Sequence, residues 1–60
     1  MVLEYVDIQI QDRSGTWRTV HTTQNQSQQI LLRMKEIQSR YPDKRVRAIG
    51  KDGRLIDLLD

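Results

Sequence analysis

From Val6 to Gln11 apolar and polar residues alternate without a break, Val-Asp-Ile-Gln-Ile-Gln. This alternation matches the pleat of a strand, with Val6, Ile8 and Ile10 turned towards a core and Asp7, Gln9 and Gln11 towards water. Asp12-Arg13-Ser14-Gly15 follows, with Asp at the first and Gly at the fourth position of a type I turn. That arrangement suits a bulged hairpin loop with Gly15 at positive φ. Thr16 to Thr22 is rich in Thr, Val and Trp, residues that fit a pleated, half-covered surface, and completes a hairpin.

Between Thr23 and Arg40 the period lengthens. Ile30, Leu31, Met34, Ile37 and Tyr41 recur at three- and four-residue spacing, the signature of one helix face. Thr23 with Gln26, or Asn25 with Gln28, is placed for a capping-box pair, so the helix is expected to begin near Asn25. Pro42 ends it, because the proline ring disfavours helical geometry at Tyr41. Glu36 and Arg40 stand four apart in the favourable orientation for an ion pair. From Lys44 to Gly50 alternation returns, with Val46 and Ala48 on one side and Arg45, Arg47 and Ile49 on the other. Lys51-Asp52-Gly53 reads as a turn and Arg54 to Leu59 as a last strand. The predicted class is α+β with ββαββ order: two hairpins forming an antiparallel or mixed sheet, and one amphipathic helix packed on one face.

Sixty residues make a single domain, 1–60, with little apolar surface to close a core. Small folds often compensate with disulfides or a structural metal. This chain has no cysteine, one histidine and no carboxylates at metal-loop spacing, so neither is expected. Absence of cysteine favours a reducing compartment, and the cytoplasm is the expected location. Met1 to Ile10 lacks a basic leader and carries Glu4 and Asp7, which argues against a signal peptide. No run approaches the ~20 apolar residues of a membrane span. Asn25-Gln26-Ser27 has the form of a glycosylation sequon but reads better as helix-start chemistry.

The net charge of +2 implies no polyanionic partner by itself, but its distribution is uneven. Residues 1–30 carry two basic and three acidic side chains, whereas residues 31–60 carry eight and five, with most of the excess between Arg40 and Arg54.

Enzymatic chemistry is not expected. The one imidazole, His21, sits among threonines with no nucleophile and orienting group in a recognisable pattern. Gly15, Gly50 and Gly53 do not approach phosphate-loop spacing. Paired carboxylates such as Asp57 and Asp60 fall at the C-terminus, where fraying is expected to leave them without a fixed geometry. A one-helix, one-sheet domain is also poorly suited to enclose a ligand pocket of roughly 300 Å³ or more. No catalytic residue, metal or cofactor is assigned.

The uncovered sheet face is the stronger candidate. With a bulged first turn, Gln11 stands opposite Trp17 and Ile8 opposite Val20, which places Trp17, Thr19 and His21 on the face of Asp7 and Gln9. Tyr5, Arg45, Arg47 and Ile49 share that side by parity. An aromatic ring with arginines on an open sheet is chemistry that single-stranded nucleic acid can use, and Trp17, His21, Arg45, Arg47, Lys51 and Arg54 are the candidate residues. With a two-residue turn, Trp17 pairs with Ile10 instead and joins the core; charged residues on open strands also guard against aggregation.

The last strand, Leu55-Ile56-Asp57-Leu58-Leu59, carries apolar residues on both faces of its pleat. Leu55 and Leu59, with Ile49 and Leu3, form a candidate self-association patch, and Leu32 lies off the main helical stripe. A two-fold dimer is the simplest consequence. The expected function is therefore a small binding or protein-interaction domain, acting on a protein partner or on itself. Weak nucleic-acid binding is the alternative. Val46-Arg47-Ala48-Ile49 and Asp52-Gly53-Arg54-Leu55-Ile56-Asp57 resemble segments of short bacterial proteins, which implies a prokaryotic source and carries over no residue role.

Overall fold

The structure, a computed structural model, describes residues 4–59. Leu3 and Asp60, named above, lie outside the described residues. Four strands and one helix follow in the predicted order: β1 (Tyr5–Gln11), β2 (Trp17–Gln24), α1 (Ser27–Arg40), β3 (Val46–Gly50) and β4 (Leu55–Leu59). The strands form one antiparallel sheet in the order β2-β1-β3-β4, so the first strand of each hairpin is central.

The period-2 residues of the inner strands and the period-3.6 residues of the helix meet in one core: Val6, Ile8, Ile10, Ile30, Met34, Ile37, Val46 and Ala48. No described polar side chain is buried there. The helix packs on β1, β2 and β3, and β4 lies at the margin of its footprint. Among the described residues no layer covers the opposite face of the sheet.

Both hairpins close with the same loop. In the first, Gly15 N–H donates to Asp12 O at 3.0 Å and Asp12 N–H to Thr16 O at 2.9 Å; in the second, Gly53 N–H donates to Gly50 O at 2.9 Å and Gly50 N–H to Arg54 O at 2.8 Å. Gly15 and Gly53 have φ of 88° and 85°, the left-handed region that a side chain makes unfavourable. The first loop is also held by its aspartate. Asp12 Oδ1 accepts from Ser14 N–H, Ser14 Oγ and Thr16 N–H, and Oδ2 accepts from Arg18 Nε at 2.9 Å. Those donors, Ser14 and Arg18 foremost, hold its carboxyl well below the usual carboxylate range.

Each outer strand carries a bulge that overturns a register expectation. On β2 the register shifts so that Ile8 pairs with His21 and Gln9 with Thr19, leaving Val20 as the extra residue. His21 thereby moves to the helix side. On β4, Ala48 pairs with Asp57 and Ile49 with Leu55, leaving Ile56 as the extra residue. That shift turns Leu59 inward, where it packs against the core, and puts Leu58 on the uncovered face in its place. A bulge is invisible to alternation because it adds one residue without changing composition.

The helix starts within two residues of Asn25, as the sequence indicates, and departs from expectation in its cap, one ion pair and one residue of its face. It begins at Ser27 with Gln26 as N-cap, and no side-chain hydrogen bond from Gln26 caps it. Asn25 Nδ2 instead donates to Glu4 Oε2, tying the connection to the start of β1. Glu36 pairs with Arg33, one turn back, and not with Arg40. Leu31 is 41% exposed, because one residue along a helix turns about 100° away from Ile30 and the core.

Candidate functional site

Two complete rows of side chains cross the uncovered face. Thr19, Gln9, Arg47 and Leu58 form one, and Thr22, Asp7, Ile49 and Leu55 form the next. Parity places them: Val6, Ile8 and Ile10 face the helix, so Asp7 and Gln9 face away, and opposite residues on neighbouring strands share a face. The β2–β1 half of both rows is polar. The β3–β4 half is apolar apart from Arg47.

The polar half is ordered by side-chain hydrogen bonds. Gln9 Nε2 donates to Thr19 Oγ1 at 3.0 Å, and Thr22 Oγ1 donates to Asp7 Oδ1 at 3.0 Å. Arg47 reaches from β3 across β1: its Nε donates to Gln9 Oε1 at 2.8 Å, and its guanidinium carbon lies 4.1 Å from the centre of the Trp17 ring. A guanidinium so placed is attracted to the ring's negative face and loses little freedom when it binds an oxyanion. Among the described residues no carboxylate pairs with Arg47.

The apolar half consists of Ile49 and Leu58, both half-buried, and Leu55, 53% exposed. Tyr5, 51% exposed, lies on the same face by parity at the start of β1 and lines one cleft with Leu55. Trp17 is half-buried on this face, as the bulged-turn reading of the sequence required, with Gln11 opposite it.

The candidate nucleic-acid residues do not come together. Trp17, Arg45 and Arg47 share the uncovered face towards the first hairpin loop. His21 faces the helix side, beside Val20, Arg33, Glu36, Arg40 and Tyr41. Lys51 and Arg54 belong to the second hairpin loop at the opposite end of the sheet. There an open cleft of about 700 Å³, larger than the sequence led us to expect, is lined by Glu4, Tyr5, Lys51, Arg54, Leu55 and Ile56. It lies between the second hairpin and the start of β1. Its lining mixes charges of both signs with apolar side chains, a composition that selects for no single ligand class. Among the described residues no three His, Asp or Glu side chains converge on a metal position. Among them, too, no helix is long and apolar enough to cross a membrane.

Comparison of the chain with protein-family models, with curated proteins and with solved structures finds no match in any of the three.

Proposed function

We propose that this domain is a non-enzymatic, cytoplasmic interaction module of prokaryotic origin that contacts another protein chain through the uncovered face of its sheet. The observation that carries the reading is the apolar half of that face, where Ile49, Leu55 and Leu58 share a side with Tyr5 and no described residue is layered over them. A contiguous apolar surface on a domain this small favours an interface over scattered exposure. The bulges at Val20 and Ile56 point the same way: they distort the two edges of the sheet and hinder strand addition, so the face is the better route to a partner.

The test is a dilution series of two-dimensional NMR spectra of labelled protein, with the rotational correlation time measured on each sample. Backbone signals of Ile49, Leu55 and Leu58 should move with concentration while those of Lys35 and Ser39 on the outer helix surface stay still. Spectra unchanged up to millimolar concentration, with monomer tumbling throughout, count against the reading.

A second reading is favoured by the stacking of Arg47 on Trp17: single-stranded nucleic acid laid across Arg45 and Arg47. It requires shifts at Trp17 and Arg47 on adding an oligonucleotide in low salt, and their loss as salt rises, because phosphate contacts release counterions. No shifts in low salt remove it.

A further inference from the structure

We infer that the partner is a second copy of this chain, packed face to face about a two-fold axis that lies in the sheet face, runs across the strands and passes between the two rows of side chains. This rests on the interaction reading above and specifies its partner and register.

The dimensions of the molecule favour the face over an edge. The molecule measures 38 by 20 by 15 Å, and the shortest dimension is that of a sheet and one helix layer. Strands of five to eight residues, at about 3.3 Å per residue and about 4.8 Å between neighbours, give the uncovered face a footprint of roughly 400 Å², which suits a weak self-association below the ~800 Å² per partner of a standard interface. An edge of five to eight residues offers much less, and both edges are bulged.

The face also complements itself. An axis between the rows sets each row of one copy over the other row of its partner. Leu58 then lies over the partner's Leu55, and the aliphatic stem of Arg47 over the partner's Ile49. Thr19 lies over the partner's Thr22 on the polar side. Gln9 lies over the partner's Asp7, and Gln9 is the residue that holds the Arg47 guanidinium above β1. The guanidinium without a carboxylate thus meets the face's acid, twice by symmetry. Asp7 is available for it, because Thr22 occupies only Oδ1. An axis parallel to the strands would instead lay apolar β4 on polar β2 and forfeit this match. Two aligned sheets at about 10 Å separation and roughly 30° rotation bring such side chains into contact.

The test is charge reversal read by sedimentation equilibrium. Asp7→Lys and Arg47→Glu should each weaken self-association by about tenfold or more at low salt, and the double variant should recover most of that loss. Far-UV circular dichroism checks the fold of each variant. Register is read separately with a short bifunctional thiol reagent, because residues facing each other across sheets ~10 Å apart lie beyond a direct disulfide: Leu55→Cys and Leu58→Cys proteins, mixed and treated, should form the mixed cross-link in preference to either symmetric one. Failure of the double variant to recover, or prevalence of the symmetric cross-link between two Leu55→Cys chains, overturns the inferred register. If the dilution spectra still move at Ile49 and Leu55, the interaction reading survives that result. A chain monomeric at every concentration overturns the second-copy inference and leaves the interaction reading to a different protein chain.

Discussion

Ile8 is the side chain on which most of the fold converges. It is fully enclosed, on a central strand, and faces the helix that carries Met34. Ile8→Val removes one methyl group from a closed site and should destabilise by about 1 kcal/mol; Ile8→Ala leaves a cavity and should cost about 3 kcal/mol. A domain this small is expected near the lower end of the usual stability range, about 5 kcal/mol, with a urea slope near 1 kcal/mol per molar. The urea midpoint should then fall by roughly 1 M for the valine and 3 M for the alanine variant. Ile49→Ala, the same change on the uncovered face, should shift it by about 1 M or less at protein concentrations too low for association. Trp17 fluorescence and far-UV circular dichroism follow the transition together, and their coincidence tests two-state behaviour. If Ile8→Ala shifts the midpoint no further than Ile49→Ala at equal slope, the assignment of the two faces is wrong.

Three further outcomes are expected. The Asp12 carboxyl titrates far below its unfolded value of ~3.9, so its contribution to the hairpin is complete above that pH and is lost as pH falls towards the folded value; an NMR titration of its carboxyl carbon with a midpoint near ~4 would contradict the loop geometry. Gly15→Ala and Gly53→Ala should each destabilise by about 1–2 kcal/mol through backbone strain alone, since no described atom lies closer than 3.9 Å to the added carbon at Gly15 and none within 4 Å at Gly53; melts unchanged from the parent would argue against positive φ at these turns. Arg47→Ala should remove about 0.5–1 kcal/mol and release Trp17 to solvent, seen as stronger acrylamide quenching; equal quenching in both proteins would mean that the guanidinium does not cover the ring.

The order of elements, the inward residues of β1 and β3, and the first hairpin loop were legible because each is written in local periodicity or turn chemistry. Val46 and Ala48 inward with Arg47 and Ile49 outward needed nothing more than alternation. The positions of His21 and Leu59 were not legible. Each depends on one unpaired residue in an outer strand, and a Val or an Ile in that place has no distinguishing feature. The candidate site was legible as a face but not as a set. Trp17 and Arg47 stand on different strands with β1 between them, and only the strand order and the length of the arginine side chain bring them together. The helix cap misled for a related reason, although the start itself lay where expected: Asn25 had a better partner in Glu4, 21 residues away, than in its own helix.

The strand order has a kinetic consequence. Each hairpin closes through a loop of a few residues, but the β1–β3 seam joins Gln9 to Arg47, 38 residues apart. Closing that longer loop costs about 2 kcal/mol more in chain entropy than closing a hairpin, so the expected order is hairpins first and docking of the two halves afterwards. The helix shortens the search. Its 14 residues span about 21 Å, close to the length of β1, and return the chain to the point where β3 can run back beside its partner. The helix is thus both the lid of the core and the spacer that sets how the halves meet.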